Sequence, residues 1–253
     1  MKNPINVLEY LDGRHYDRKM ESRKRQEDIP FYLQKAFEYG SPILELACGT
    51  GRITIPIARK GLSIIGLDLL NSMLKEAKLK SKEEELEIEW IEADMTNFDL
   101  KKKFNLILMP GCAFNWFLEL EWVESCLSSI KKHLEPNAAF IFDAFNPNLN
   151  ILIREPSKAY LNAKYQDPDG NGEVIVNESN KYDKATQINE VTLSYSIGNK
   201  IINNKLILRM FFPQELDAIL KYNGFKIIHK YGDFEQTSFT SESRRQIFIC
   251  HQK

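Results

Sequence analysis

The stretch ILELACGTGR, residues 43–52, decides the fold, because it joins a short apolar run to a turn that holds two glycines. The residues that follow, ITIPIARKG, have the pattern of a helix. A strand, a glycine-rich turn and a helix N-terminus together present backbone N–H groups to a ligand. Dinucleotides, nucleoside triphosphates and S-adenosylmethionine are all bound at turns of this general shape, so the first question is which of them this turn fits.

Strand and helix patterns alternate on both sides of this stretch. Helices are predicted over 29–40, 53–61, 71–82 and 119–134, and strands over 43–47, 62–68, 86–94, 104–109 and 138–145. We expect Asn71 or Ser72 to cap the third of these helices. Apolar strands that alternate with helices indicate a parallel sheet covered on both faces.

The pattern changes after Asn148, because helical periodicity stops over residues 161–211. The turn signal DPDGNG separates two extended runs. In VTLSYSI the apolar side chains alternate with hydroxyl side chains, which is typical of a strand with one buried face. We therefore predict an inserted antiparallel β meander of about four strands. A helix at 213–223 and two final strands, FKIIHKY and QIFICH, return the chain to the α/β pattern.

Composition excludes several classes of protein. The 253 residues are 43% hydrophobic and 27% charged, with a net charge of −1, so no overall basic field favours nucleic acid or an anionic membrane. We find no signal peptide, and no apolar run approaches the roughly 20 residues of a membrane helix, so we expect a cytoplasmic protein. The four cysteines form no CxxC pair, so no metal is predicted.

The spacing around the glycines argues against a phosphate ligand. A dinucleotide site needs a third glycine where this chain has Thr54, and a P-loop has no place for Arg52 directly after its second glycine. The next two predicted strands each end in an aspartate. Asp68 stands where an acid accepts both hydroxyls of a ribose, and Asp94 is followed by Met95, a pair suited to an amino donor and an aromatic ring. The pattern predicts an adenosine site without phosphates.

These motifs together resemble those of class I S-adenosylmethionine-dependent methyltransferases. Glu45 to Gly51 matches the family's first motif, Asp68 its second-strand acid, Asp94-Met95 its adenine-contacting pair and 104–110 its fourth strand. The resemblance implies a Rossmann-like, doubly wound, seven-stranded sheet whose last strand is antiparallel. It also implies an enzyme that uses S-adenosylmethionine and releases S-adenosylhomocysteine.

A finer resemblance is to bacterial small-molecule methyltransferases. The shared elements are Tyr16-Asp17, Asp28–Tyr32, Phe145–Asn148, Arg209–Leu216 and Tyr231–Phe234. One departure is Asn137 in place of a glycine, which asparagine accommodates because it tolerates left-handed backbone. The resemblance places Tyr16 beside the methionine part of the cofactor and makes Tyr16 and its neighbour His15 weak catalytic candidates. The implied cofactor-binding residues are Tyr16, Glu45, Ala47, Cys48, Gly49, Thr50, Gly51, Asp68, Leu69, Met73, Asp94, Met95 and Met109.

The expected function is methyl transfer to a small-molecule nitrogen or oxygen nucleophile by in-line displacement. Residues 1–40 are predicted to form an N-terminal lid and helix, 41–150 with 212–253 the cofactor-binding core, and 151–211 an insert that covers the acceptor.

Alternative functions are an RNA methyltransferase, a non-catalytic adenosine-ligand-binding protein and a nucleotide-binding oxidoreductase. Trp116 and Phe117 are candidates for the acceptor wall. The acceptor, the need for a general base and the choice between monomer and homodimer are left open.

Overall fold

The computed structural model describes residues 13–23 and 27–253, so the first twelve residues of the predicted lid lie outside the described part. In chain order the elements are α1 (Gly13–Ser22), α2 (Asp28–Tyr39), β1 (Ile43–Leu46), α3 (Thr54–Ala58), β2 (Ile64–Asp68), α4 (Asn71–Glu83), β3 (Glu89–Glu92), β4 (Phe104–Met109), a 3-10 turn (Ala113–Trp116), α5 (Leu120–His133), β5 (Leu134–Phe145), α6 (Leu149–Leu152), β6 (Tyr160–Gln166), β7 (Glu173–Asp183), β8 (Ile188–Ile197), β9 (Lys200–Arg209), α7 (Pro213–Tyr222), β10 (Phe225–Tyr231) and β11 (Arg245–Gln252).

The chain divides into two compact units, which we call the core unit and the insert unit. The core unit comprises Glu27–Asn146 and Phe211–Lys253, and the insert unit contains Pro147–Met210 together with α1. Helix α2 therefore belongs with the core, although the sequence grouped it with the lid. The functional boundaries of lid, core and insert stay predictions.

The core unit is built on a mixed sheet, which we call the core sheet. Over the described ranges it has seven strands in the order β10-β11-β5-β4-β1-β2-β3. Strands β3, β2, β1, β4 and β5 run parallel, and β11 lies antiparallel between β5 and β10. This confirms the predicted doubly wound sheet with an antiparallel last strand.

The central strands of the core sheet are buried on both faces, which explains why they are mostly apolar runs. Strand β4 illustrates the point: Leu106 and Leu108 pack in the cluster on one face, and Ile107 and Met109 in the cluster on the other. All of these side chains are fully buried. Because side chains alternate along a strand, a strand covered on both sides is apolar at most positions. The sheet is therefore a rigid platform whose strand ends can position polar groups.

The insert unit contains a second, antiparallel sheet, which we call the insert sheet. Among described residues its four strands follow the chain, β6-β7-β8-β9, as predicted for the meander. Leu193, Tyr195 and Ile197 are buried together on one face, which is the face that the alternation of VTLSYSI indicated. The hairpin turn DPDGNG joins β6 to β7, with Asp167 N–H donating to the carbonyl of Gly172 over 2.8 Å.

Local turn chemistry was predicted correctly at one position and wrongly at another. Asn137 does adopt left-handed backbone, with φ of +66°. The predicted cap of α4 is wrong, because Leu70 occupies the N-cap and no side chain caps the helix. Instead, the side-chain amide of Asn71 donates to Glu92 over 2.6 Å, which ties α4 to the end of β3. Of the described helices, none combines the length and the apolarity needed to cross a membrane.

Candidate active site

The glycine turn and the acid of the second strand are joined directly at the edge of the core sheet where β1 to β5 end. We call this the C-terminal edge. Gly49 has a φ of +56°, and its N–H donates to Oδ2 of Asp68 over 2.7 Å. The other oxygen, Oδ1, accepts the N–H of Leu70 over 2.8 Å. Since a carboxylate offers about four acceptor positions, Asp68 is oriented by the backbone and can still accept ligand hydroxyls.

The surroundings of Asp68 disfavour its charge when no ligand is bound. Burial raises the pKa of Asp68, while the backbone N–H groups of Leu70 and Gly49 act in the opposite direction. Burial also raises the pKa of the neighbouring Cys48 thiol, and the charges of Glu45 and Asp68 add to that shift. A thiolate at Cys48 is therefore disfavoured.

Glu45 lies on β1 beneath the same turn and is almost completely buried. Burial raises its pKa to about 8, although the hydroxyl of Thr54 donates to it and the charge of Arg52 lowers the value. Arg52 in turn holds Asp28 of α2 through two hydrogen bonds of 2.7 and 2.6 Å. The glycine turn is thus stabilised by two contacts: the hydrogen bond from Thr54 to the buried Glu45, and the ion pair between Arg52 and Asp28.

Gly51 is required by packing, and Trp90 is the reason. A Cβ on Gly51 would lie 2.6 Å from Cη2 of Trp90 and 3.1 Å from Ile55, and its φ is +79°. The same indole crosses Gly66 of β2, where a Cβ would lie 2.5 Å from the ring. Trp90 is on β3 and donates to the hydroxyl of Ser81 over 3.2 Å. Sequence reasoning missed this tryptophan, because its contacts lie on the glycine turn, on β2 and on α4.

The third strand delivers the predicted adenine-contacting pair to the same edge. Oδ1 of Asp94 accepts the N–H and the hydroxyl of Thr96 over 2.8 and 2.7 Å, which fixes the carboxylate. Met95 is half-buried against the core cluster. Other predicted cofactor residues also lie at this edge: Ala47 and Leu69 are half-buried, and Thr50, Met73 and Met109 are buried. Their contact with a cofactor stays a prediction.

A second polar group, unforeseen from the sequence, lies at the ends of β4 and β5. We call Tyr32, Cys112, Asp143 and Arg245 the Asp143 cluster. Asp143 is fully buried; Oδ1 accepts the hydroxyl of Tyr32 over 2.8 Å, and Oδ2 accepts both the N–H and the thiol of Cys112 over 3.1 Å. Arg245 also donates to Oδ2, and the same Nη1 lies 2.7 Å from the Cys112 sulfur.

The cluster fixes the turn that follows β4. Cys112 has left-handed backbone, with φ of +58°, an unusual conformation for a residue with a side chain. Burial raises the pKa of Tyr32, and the nearby charge of Asp143 adds to that shift, so Tyr32 remains a hydrogen-bond donor. The next residues carry Trp116 and Phe117, the candidates for an acceptor wall: Phe117 is buried in the core cluster, and Trp116 is half-buried.

The two weak catalytic candidates lie in the insert unit. His15 is buried, and its Nδ1 lies 3.0 Å from the hydroxyl of Tyr165. Its Nε2 lies 3.5 Å from Asp167. Tyr16, the next residue of α1, is half-buried. The surroundings of His15 are thus the insert sheet and its first turn, and the catalytic roles of both residues stay predictions.

Comparisons with known proteins agree with this architecture. Residues 43–137 match the family model described as a methyltransferase domain. A protein of Geobacillus sp. (strain WCH70) that carries a methyltransferase name is 27% identical over 132 residues, 51% of this chain; the chain spans only 53% of its length. A solved S-adenosylmethionine-dependent methyltransferase from Clostridium acetobutylicum has a TM-score of 0.79 at 19% identity, covering 94% of this chain and 96% of that one. The sugar N-methyltransferase KedS8 of Streptoalloteichus sp. has a TM-score of 0.72 at 14% identity, covering 98% and 95%.

At such identities the solved structures establish the fold, and the matched domain and the curated relative indicate a methyltransferase. Together these findings support a class I S-adenosylmethionine-dependent methyltransferase. The predicted enzyme class and cofactor are thereby confirmed. The findings favour a methyltransferase over a nucleotide-binding oxidoreductase, the alternative that Thr54 already weakened.

Proposed function

We propose that this chain transfers the methyl group of S-adenosylmethionine to a nitrogen or oxygen atom of a small molecule. The observation that carries the proposal is the 2.7 Å hydrogen bond from Gly49 N–H to Asp68. This bond fixes the Asp68 carboxylate against the glycine turn. The carboxylate then offers acceptor oxygens to ribose hydroxyls, and the turn lacks the spacing of a phosphate-binding motif.

Different residues of the C-terminal edge bind the ribose and the adenine of the cofactor. Asp68 accepts the ribose hydroxyls, and Asp94 accepts the adenine amino group while Met95 covers the ring. S-adenosylmethionine held by these residues would supply an electrophilic methyl group on its sulfonium. The acceptor's lone pair would form the new bond to the methyl carbon, and the electron pair of the broken C–S bond would leave with the sulfur of S-adenosylhomocysteine. An amine acceptor then loses a proton. The protein has only to align the acceptor and exclude water from the sulfonium.

Two observations support a small acceptor. The net charge of −1 gives no overall positive charge that would favour RNA. The sequence from the last residue of β4 onward is Met-Pro-Gly-Cys rather than the Asn/Asp-Pro-Pro-aromatic run of nucleic-acid amino methyltransferases. The fold is shared with KedS8, a sugar N-methyltransferase, which favours an amine over a hydroxyl. We further propose that residues 151–211 select the acceptor and that Tyr16 aligns it.

The experiment is a turnover assay that measures S-adenosylhomocysteine released with amino sugars, with phenols and with RNA as separate acceptors. Amine-dependent turnover that Tyr16→Phe lowers more than cofactor affinity would support the whole proposal. Turnover only with RNA would contradict the small acceptor. Binding of S-adenosylmethionine without turnover on any acceptor would favour the non-catalytic alternative. Asp68→Ala is the matched control, because it should weaken cofactor binding and leave the insert unit unchanged.

A further inference from the structure

The turn between β6 and β7 repeats the residue spacing of a calcium-binding loop. The pattern of such loops is D-x-[DN]-x-[DN]-G, then five residues of any kind, then Glu. Asp167, Asp169, Asn171 and Gly172 fill the first, third, fifth and sixth places, and Glu178 the twelfth. None of these residues is among the candidate catalytic or cofactor-binding residues, so the motif needs its own account.

The structure adds a ligand from another element. His15 of α1, Asp167 and Asp169 bring one imidazole nitrogen and two carboxylate oxygens within 4.8 Å of one another. Nε2 of His15 lies 3.5 Å from Oδ1 of Asp167. Both of these side chains are more than nine-tenths buried, whereas Asp169 is exposed. An ion could therefore enter from the solvent side and meet a prearranged pair.

The neighbours of these groups orient them as the outer groups of metal sites do. The hydroxyl of Tyr165 lies 3.0 Å from Nδ1 of His15, so the imidazole is held with Nε2 towards the carboxylates. Oδ2 of Asp167 accepts the N–H and the side-chain amide of Asn171 over 3.1 and 2.6 Å, which leaves Oδ1 facing His15.

The position that normally completes a calcium loop is not available. Glu178 lies within β7, where it accepts the side-chain amide of Asn162 and lies 4.0 Å from Arg154. His15 therefore takes the place of the carboxylate. Imidazole nitrogen together with carboxylate oxygen suits a transition-metal ion better than Ca²⁺, which takes oxygen ligands.

We propose that His15, Asp167 and Asp169 form a divalent-cation site of Mn²⁺ type that fastens α1 to the first hairpin of the insert sheet. The present partner of Asp169 is Arg14, at 2.8 Å. Both side chains of that pair are about half exposed, at 45% and 52%, so the pair is weak and an ion displaces it readily. The ion then supplies the positive charge that the two carboxylates share.

The test uses the full chain, freed of metal with a chelator and titrated with MnCl₂. Free Mn²⁺ is followed by electron paramagnetic resonance, and thermal unfolding is followed in parallel. We expect one Mn²⁺ per chain and a rise in Tm with Mn²⁺ concentration, because an ion that binds only the folded chain stabilises it. Asp169→Asn and His15→Gln should each weaken Mn²⁺ binding by about tenfold or more.

Asp183→Asn is the matched control, because Asp183 is a turn aspartate of the next hairpin, where it accepts the N–H of Ala185 over 2.9 Å. Its Mn²⁺ affinity should equal that of the unaltered chain. If Mn²⁺ binding does not saturate by about 1 mM, the weak limit for protein cation sites, the proposal is wrong. Equal affinity in Asp169→Asn would overturn it as well. Tighter binding of Ca²⁺ than of Mn²⁺, unaffected by His15→Gln, would overturn the assignment of His15 as a ligand.

Discussion

Two buried carboxylates at the C-terminal edge of the core sheet are held in opposite ways. Asp68, at the end of β2, accepts backbone N–H groups from Gly49 and Leu70. Asp143, near the end of β5, accepts side-chain donors from Tyr32 and Arg245, which belong to α2 and β11. Backbone donors are supplied by the turn whatever its side chains are. The first carboxylate is therefore oriented locally, and the second depends on the assembled fold.

The largest expected effect of this difference is on stability. Asp143→Asn keeps the size of the side chain but leaves the largely buried guanidinium of Arg245 without its carboxylate. Breaking a buried ion pair by removing one partner costs about 3–5 kcal/mol. Urea unfolding should show a loss of this size, whereas Asp99→Asn, which alters an exposed aspartate paired with Lys101, should change stability by less than about 0.5 kcal/mol.

The double variant Asp143→Asn/Arg245→Met separates the charge from the packing. If the unpaired guanidinium is the cause, removing it should restore part of the stability lost in Asp143→Asn. A loss below about 1 kcal/mol in Asp143→Asn, no more than an ordinary net hydrogen bond, would contradict the view that this carboxylate holds the fold together.

The same difference explains how much the sequence could predict. The alternation of strands and helices and the positions of Gly49, Asp68 and Asp94 follow from local patterns, because a strand end and the turn after it are neighbours in the chain. The Asp143 cluster joins Tyr32, Cys112 and Arg245 across more than a hundred residues, and no local period marks such a group. The cofactor motifs Glu45–Gly51, Asp68 and Asp94-Met95, which carry the resemblance at the level of class I, lie in the locally held half of the edge.

Trp90 and the cap of α4 were missed for related reasons. Trp90 reads as an ordinary strand residue, and only the pairing of β2 with β3 brings its ring over Gly51 and Gly66. Asn71 was expected to cap its own helix, but Glu92 on the neighbouring strand offers its amide a charged acceptor, and hydrogen bonds to charged groups are the stronger ones. In both places tertiary contacts decided between local alternatives.

The two glycines of the turn provide the second test. Gly51→Ala puts a methyl group 2.6 Å from Trp90 at a φ of +79°, and strain together with overpacking should cost about 2–4 kcal/mol. Gly49→Ala meets only Met73, at 3.6 Å, so the left-handed backbone alone should cost about 1–2 kcal/mol. Urea unfolding of both variants measures the difference. Equal losses would mean that Trp90 moves aside, and the packing role of Gly51 would then be wrong.

The third test concerns the locally held carboxylate. Asp68→Ala should weaken S-adenosylmethionine binding by about 1.5–3 kcal/mol, the scale of hydrogen bonds to a charged acceptor. Calorimetric titration of S-adenosylmethionine measures it, with Asp99→Asn as the control that should bind normally. An unchanged affinity in a folded Asp68→Ala protein would remove Asp68 from the site and would leave Gly49 as a turn glycine only.

The fourth test is a pH dependence that belongs to Glu45. Its pKa is raised to about 8, mainly by burial, so the folded chain holds a proton there that the unfolded chain has already released above pH 4.5. Stability from this group is therefore complete at low pH and is lost as the pH rises towards 8. The slope cannot exceed about 1.4 kcal/mol per pH unit, because a single proton is involved.

Glu45→Gln keeps the shape and an acceptor for the hydroxyl of Thr54 but removes the titration. We expect the free energy of unfolding of the unaltered chain to fall relative to Glu45→Gln as the pH rises from 5 to 8, with the two curves closest at the acid end. Urea unfolding at several pH values, without cofactor, measures the difference. Parallel curves would mean that Glu45 is already ionised at neutral pH and that Arg52 compensates its burial. Glu45 would then belong with Asp143, among the carboxylates held by the charges of other elements.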